Sequence, residues 1–299
     1  MSEIITGLFS SMFALCVPLL IAAEGEVFVE RSGQFNMGIE GMMVLGAISG
    51  FAATLATGST LLGFIAGGIT GGLLAIAMFL LIYKLKLDLL VVAIVFNLLA
   101  AGVTGFLATL FINSSSIPVK CNKLTDLHIP FLSDLPIAGP ILFSKNYMVY
   151  VAILSVPIIA HVLYKRKFGL ELRAVGGNAS AAQTMGIDVF KTRMKCFLIG
   201  GVSGGIAGAY LSLTLGMFVE NMTMNKGFIA LALCTFSKGK PYGTLAGALL
   251  FALADSIQIR FQPIDIDIPY EFLLMLPYVL TVVVLTISAK RSREERKYA

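Results

Sequence analysis

Eight apolar runs, at 4–23, 37–57, 61–83, 89–112, 147–164, 196–218, 242–259 and 272–289, fix what this chain can fold into. Between them they hold two carboxylates, Glu40 and Asp255, and no Lys or Arg. Each is close to the ~20 residues that a helix needs to cross a bilayer core of about 30 Å. In hydrocarbon every backbone polar group must bond within its own segment, so such runs become helices. Charged residues are 13% of the 299, against about 25% in soluble domains. The expected fold class is an all-α integral membrane protein of about 8–10 transmembrane helices. The chain has no stretch long enough for a separate soluble domain, so 1–299 reads as a single transmembrane domain.

The polar intervals set the orientation. Residues 165–195 carry seven basic and two acidic side chains, which equals the +5 net charge of the whole chain. With Lys84, Lys86 and the basic tail from Lys290, this interval reads as cytoplasmic, because Lys and Arg concentrate in cytoplasmic loops. Alternation then puts the N-terminus outside, the C-terminus inside, and the four-proline interval 113–146 outside. The linker 24–36 falls inside although it is net acidic. The N-terminus lacks the basic start of a signal peptide, so its apolar run is expected to be retained. The short run 228–236 is too short for a crossing of its own, and reads as a broken or re-entrant helix that protein or a water-filled cavity must cover. Lys238 and Lys240 come out cytoplasmic only if that run recrosses.

Within the basic interval the pattern is helix, break, helix. Leu170 to Val175 can make a turn or two, Gly176-Gly177 breaks it, and Asn178 or Ser180 can cap the piece from Ala179 to Met185, which stops at Gly186. Glycines spaced by four (Gly63, Gly67, Gly71; Gly200, Gly204, Gly208; Gly243, Gly247) let helix backbones approach closely in lipid. They serve packing within the subunit or a sliding surface.

No enzyme constellation is present. The two histidines, His128 and His161, lie in different segments, and the four cysteines form no CxxC pair. They read as packing residues, so no metal site is expected. There is no phosphate-binding loop of the Walker type and no HExxH. The basic pI of about 9.0 belongs to loops beside spans and does not indicate nucleic acid. Carboxylates inside a span are costly and face a polar interior. Glu40 and Asp255 therefore line a solute path or make a structural contact, for Glu40 a cap or a salt bridge to Arg31. Asn36, four residues before Glu40, shares a helix face with it. Asn97 hydrogen-bonds either a solute or a neighbouring helix. With Phe96 and Phe106 these side chains suit an uncharged polar solute.

The stretch ERSGQFNMGIEGMMVLGA at 30–47 resembles the second-span signature of permease subunits of ABC importers in the branched-chain amino acid/simple sugar superfamily. GLELRAVGGNASAAQTMGID at 169–188 is similar to that family's cytoplasmic coupling loop. NKGFIALALCTFSKGKPYGTLAGALLFALAD at 225–255 and PYEFLLMLPYVLTVVVL at 269–285 also look like it. The nucleoside branch, which pairs with receptors of the basic-membrane-protein type, is the most similar. FSKGKP at 236–241 departs from the family, which more often has an aromatic after the glycine.

The resemblance implies a non-enzymatic transport subunit in a bacterial cytoplasmic (inner) membrane, importing a nucleoside or related small polar solute. Simple sugars and riboflavin-type molecules are the alternatives, and an ion-coupled secondary transporter a more distant one. ATP and Mg would be held by separate ATPase chains, with no cofactor in this chain. The further partners implied are a second, non-identical permease subunit, an extracytoplasmic receptor and membrane lipid. In the coupling loop, Glu171 and Arg173 would make polar contacts to the ATPase, Gly176, Gly177 and Asn178 would shape the turn, and Ala182, Met185, Gly186 and Ile187 would pack.

Overall fold

The computed structural model describes residues 2–111, 119–128, 139–261 and 275. In chain order the helices are α1 (Ser2–Arg31), α2 (Ile39–Thr57), α3 (Thr60–Lys84), α4 (Leu89–Phe111), α5 (Tyr147–Lys165), α6 (Lys167–Gly177), α7 (Ala179–Thr184), α8 (Val189–Leu215), α9 (Lys226–Phe236) and α10 (Pro241–Phe261). A two-stranded antiparallel hairpin, β1 (Asp126–His128) and β2 (Ser144–Asn146), precedes α5. Among the described residues seven helices are long and apolar enough to cross a membrane, and α9 is a shorter apolar helix. The expected span 272–289 and the basic tail lie outside the described residues.

The bundle is built around α8, which packs against α1, α2 and α3. Glycine makes this possible. A Cβ on Gly205 would lie 2.0 Å from the Gly67 carbonyl oxygen, and one on Gly46 would lie 2.2 Å from the Gly205 carbonyl oxygen. The repeats on α3 and α8 thus face each other inside one subunit. Gly243 and Gly247 lie against Ser237 and Leu233 of the α9 segment. Tyr210, Phe51, Phe79 and Phe197 are fully buried around this seam.

Two ends can be distinguished. At the hairpin end, Cys121 N–H donates to the Gly216 carbonyl at 2.9 Å and Asn122 donates to the Gly58 carbonyl at 2.8 Å, so the described part of the 113–146 interval covers the ends of α2 and α8. Lys145 sits here, its Nζ donating to the Ser10 carbonyl at 2.8 Å. Burial pulls its ammonium pKa below the ordinary lysine value. At the basic end lie Arg31, Lys84, Lys165 and the start of α8.

Three boundary expectations are corrected. The linker expected at 24–36 is helical as far as Arg31. Val27, Phe28 and Val29 continue the apolar pattern past the acids, and Glu24 and Glu26 are buried. Glu24 accepts from the Ser155 hydroxyl and Glu26 accepts from Asn36 Nδ2 at 2.8 Å. Second, α6 runs through Gly176-Gly177, and the break falls at Asn178. Gly176 stays helical because it presses on the end of α1: a Cβ there would lie 2.0 Å from the Arg31 carbonyl oxygen. Third, the helix expected from Cys196 begins at Val189. Asp188 Oδ1 accepts from Lys191 N–H at 3.0 Å and caps it. That bond, with the Lys191 ammonium beside it, holds the Asp188 carboxyl below the usual aspartate range.

Candidate functional site

The chain between α8 and α9 runs irregularly alongside α2. Phe218 packs beside Phe51 of α2, with ring centroids 6.5 Å apart, while Thr223 reaches Glu40 in the first turn of the same helix. The eleven residues separating Glu40 from Phe51 rise about 16 Å. Asn221, Met224 and Asn225 all take left-handed conformations, with φ of 59°, 45° and 60°. Each such non-glycine residue stores strain of about 1–3 kcal/mol, and such residues cluster at binding and switch sites.

Glu40 receives this segment. Its carboxylate accepts from the Thr223 hydroxyl at 2.6 Å and from the Gly227 N–H at 2.8 Å. The N-cap of α9, Asn225, makes no side-chain cap bond of its own, so a carboxylate from α2 takes that place. A negative group at a helix N-terminus is favoured by the unpaired N–H groups and the helix dipole. Gly227 is required: a Cβ there would come within 2.8 Å of the Glu40 backbone. On the other flank Lys226 pairs with Asp255 of α10 at 2.9 Å, the two side chains 15% and 13% exposed. The two carboxylates within the expected spans thus meet at the start of one short helix. An apolar cavity of 260 Å³ adjoins it, lined by Asn225, Phe228, Phe236 and Phe251 among others.

The remaining expected path residues lie elsewhere. Asn36 precedes α2, which starts at Ile39, so it does not share Glu40's helix face; it is buried against Glu26 instead. Asn97 clasps the start of α2, donating to the Met37 carbonyl at 3.0 Å and accepting from Gly41 N–H at 2.8 Å. Phe96 is half-buried among the side chains packed around Met42, Met78 and Phe79. Phe106 is exposed on α4. Arg31 does not reach Glu40; its Nε donates to the Gly239 carbonyl at 2.9 Å. That contact brings Lys238 and Lys240 out at the basic end, so the irregular segment and α9 together recross the bundle. Thr223 and Lys226 carry no signal in the sequence, because their partners are 183 and 29 residues away.

The Asn97 bonds predict a plain loss on substitution. Asn97→Leu keeps the volume but leaves Gly41 N–H and the Met37 carbonyl unbonded. A destabilisation of about 2 kcal/mol follows, visible as a lower midpoint of thermal unfolding in detergent.

At the basic end the α6–α7 element projects from the bundle. Asn178 Oδ1 accepts from Ala181 N–H at 3.0 Å and caps α7. Ala182 is buried, and Gly186 turns the chain at φ 83°. Ile187 N–H closes the turn on the Ala182 carbonyl at 3.1 Å. Met185 stands 82% exposed at the tip. Glu171 lies 3.9 Å from Lys167, and the Arg173 guanidinium lies over the Tyr164 ring at 5.4 Å. Both are thus engaged within the chain.

The chain is similar to known proteins over most of its length. The guanosine ABC transporter permease protein NupQ of Bacillus subtilis is 33% identical over 95% of this chain and 92% of its own length. The nucleoside ABC transporter permease protein NupC of Lactococcus lactis is 35% identical over 93% and 90%. A Haloferax volcanii protein assigned as a glucose ABC transporter permease, TsgC13, is 34% identical over 97% and 94%. Among solved structures, an ABC transporter assigned to the metal-chelate type, in an inward-facing conformation, matches with a TM-score of 0.53 at 18% identity, covering 93% of this chain and 84% of that one. The family described as the branched-chain amino acid transport system permease component matches residues 8–285. With that match spanning most of the chain, and a bundle of membrane-crossing helices to go with it, the chain belongs to this family of ABC transporter permeases.

Proposed function

We propose that this subunit imports nucleosides across a bacterial cytoplasmic membrane, with the basic end in the cytoplasm and the hairpin end facing an extracytoplasmic receptor. The observation that carries the substrate class is the similarity to two nucleoside permeases over at least nine-tenths of this chain and of theirs. The cavity beside α9 supports it: Phe228 and Phe236 lie on one face of the helix and offer stacking surface, with the Asn225 amide beside them. That combination suits a flat heterocycle carrying hydrogen-bonding edges. The relative assigned to glucose favours a simple sugar as the second reading. A proton-coupled mechanism finds less support, because Glu40 serves as a helix cap and Asp255 is paired with Lys226.

The α6–α7 element is the proposed seat for a separate ATPase chain, which would hold ATP and Mg. Met185 at the tip would enter the partner's groove, with Ala182 buried beneath it as support, while Gly176 keeps α6 against α1. A second, different permease subunit would complete the path.

The test is ATPase stimulation and uptake by the reconstituted complex with its receptor, against guanosine, other nucleosides, pentoses, glucose and riboflavin. Nucleosides stimulate, and Phe228→Ala raises the nucleoside KM about tenfold through lost stacking. Met185→Glu abolishes stimulation and uptake while leaving receptor binding intact. Stimulation by sugars alone overturns the nucleoside assignment. Unchanged coupling in Met185→Glu overturns the role of the α6–α7 tip.

A further inference from the structure

Arg31, the last residue of α1, touches three other parts of the fold. Its Nε donates to the Gly239 carbonyl at 2.9 Å, in the turn between α9 and α10. Its Nη2 donates to the Tyr164 hydroxyl at 3.4 Å in the last turn of α5, and the Arg173 guanidinium of α6 lies over that ring at 5.4 Å. Its own carbonyl is the group against which Gly176 of α6 rests. No carboxylate forms an ion pair with Arg31 among the described residues, so its hydrogen bonds go to neutral acceptors.

The turn is shaped to present its carbonyl. At the end of α9 the Gly239 N–H donates to the Cys234 carbonyl at 3.1 Å, with Lys238 and Gly239 at φ of 53° and 60°. A Cβ on Gly239 would lie 3.1 Å from Arg31 Cγ and Nε, so turn and arginine are in close contact. The start of α9 is capped by Glu40 of α2. The eleven residues of α9, about 16 Å of helix, are thus pinned at both ends by charged side chains of α1 and α2, with the 260 Å³ cavity alongside.

The main packing partners of α6 are α1, α5, α7 and α8, and those of α9 are α1, α2 and α10. The helix common to both is α1, and both reach its last residue. We propose that Arg31 is a positioning residue for transport, holding α9 in register with the α6–α7 element so that displacement of that element reaches the wall of the cavity. This rests on the reading of α6–α7 as the ATPase seat. The other route, through α8, is stiff, because backbone contacts at Gly46, Gly67 and Gly71 fix that helix in the bundle. Hydrogen bonds from one side chain to a carbonyl and a phenol can break and re-form without repacking, as a contact with two arrangements must.

The assay is solute imported per ATP hydrolysed by the reconstituted complex with its receptor, using guanosine, or glucose if sugars alone stimulate. That ratio cancels any loss of folded complex. Arg31→Gln lowers it about tenfold, the loss of one hydrogen bond from a charged donor. Tyr164→Phe keeps the ring under Arg173 and lowers the ratio about threefold, and adding it to Arg31→Gln lowers it no further. Movement of α9 is read separately at Ala232→Cys, on the cavity wall, by maleimide labelling followed by peptide mass spectrometry. Labelling differs between the nucleotide-free and vanadate-trapped complexes, and Arg31→Gln removes the difference. An unchanged import ratio in Arg31→Gln, or an undiminished labelling difference, overturns the proposal. Unchanged coupling in Met185→Glu overturns the docking reading and this inference with it. Loss of coupling in Met185→Glu with normal coupling in Arg31→Gln overturns this inference alone.

Discussion

Gly205→Leu yields no folded permease. The glycine lies where α8 crosses α3, and even a methyl group at Cβ would sit 2.0 Å from the Gly67 carbonyl oxygen, an atom of rigid backbone. On its other side Gly46 approaches the Gly205 carbonyl just as closely. The Cβ itself already meets the backbone of Gly67 and Gly71, so no rotamer relieves the clash and α3 and α8 must separate. In lipid, apolar surface exposed by separation finds equally apolar surroundings, and close backbone packing is what holds helices together. Its loss removes the driving force for the core of the bundle. The measurement is the yield of monodisperse complex after detergent extraction, expected to fall to background. Gly102→Ala is the control: nothing lies within 4 Å of its Cβ position in α4. There the substitution stabilises by about 0.5–1 kcal/mol, because alanine favours helix. A folded, active Gly205→Leu complex would mean that the α3–α8 seam is not as tight as these distances make it.

Glu40→Ala folds less stably and does not transport. Removing the carboxylate leaves the Gly227 N–H and Thr223 hydroxyl buried without an acceptor. Each buried donor left without an acceptor costs about 1–3 kcal/mol. The damage concentrates at the start of α9, where Asn221, Met224 and Asn225 already hold left-handed conformations. Glu40→Gln retains an acceptor oxygen and most of the volume, so it keeps folding but weakens the cap. The expected order in both thermal midpoint and uptake is wild type, then Glu40→Gln, then Glu40→Ala. Equal uptake in all three would show that the carboxylate does not position α9 for transport.

The spans were legible from the sequence because an uncharged run of twenty residues admits few folds. The α6–α7 element was legible because helix formers, Asn178 and Gly186 are local signals. The C-terminal part of α1 was not. Glu24 and Glu26 read as the edge of a linker, and only the packing of Ser155 and Asn36 explains why the helix continues through them. Gly176 looked like a breaker because its task, admitting the Arg31 carbonyl, is set by a helix more than a hundred residues earlier. At the candidate site, Glu40 and Asp255 stood out as carboxylates in apolar surroundings. Their partners, Thr223, Gly227 and Lys226, are ordinary residues until the chain folds. Asn36 and Asn97 were noticed for the same polar reason as Glu40, and both turned out to tie backbone and side chains within the bundle.

Glu24 in α1 also bears on the order of assembly. Ser155 lies 131 residues after Glu24, so the ribosome has made α1 to α4 before Glu24's partner exists. Until then the second half of the first helix carries a carboxylate, without its α5 partner, that lipid disfavours by a few kcal/mol. The helix made first therefore gains the hydroxyl that satisfies Glu24 only once α5 arrives, so its packing is completed by a helix made well after it.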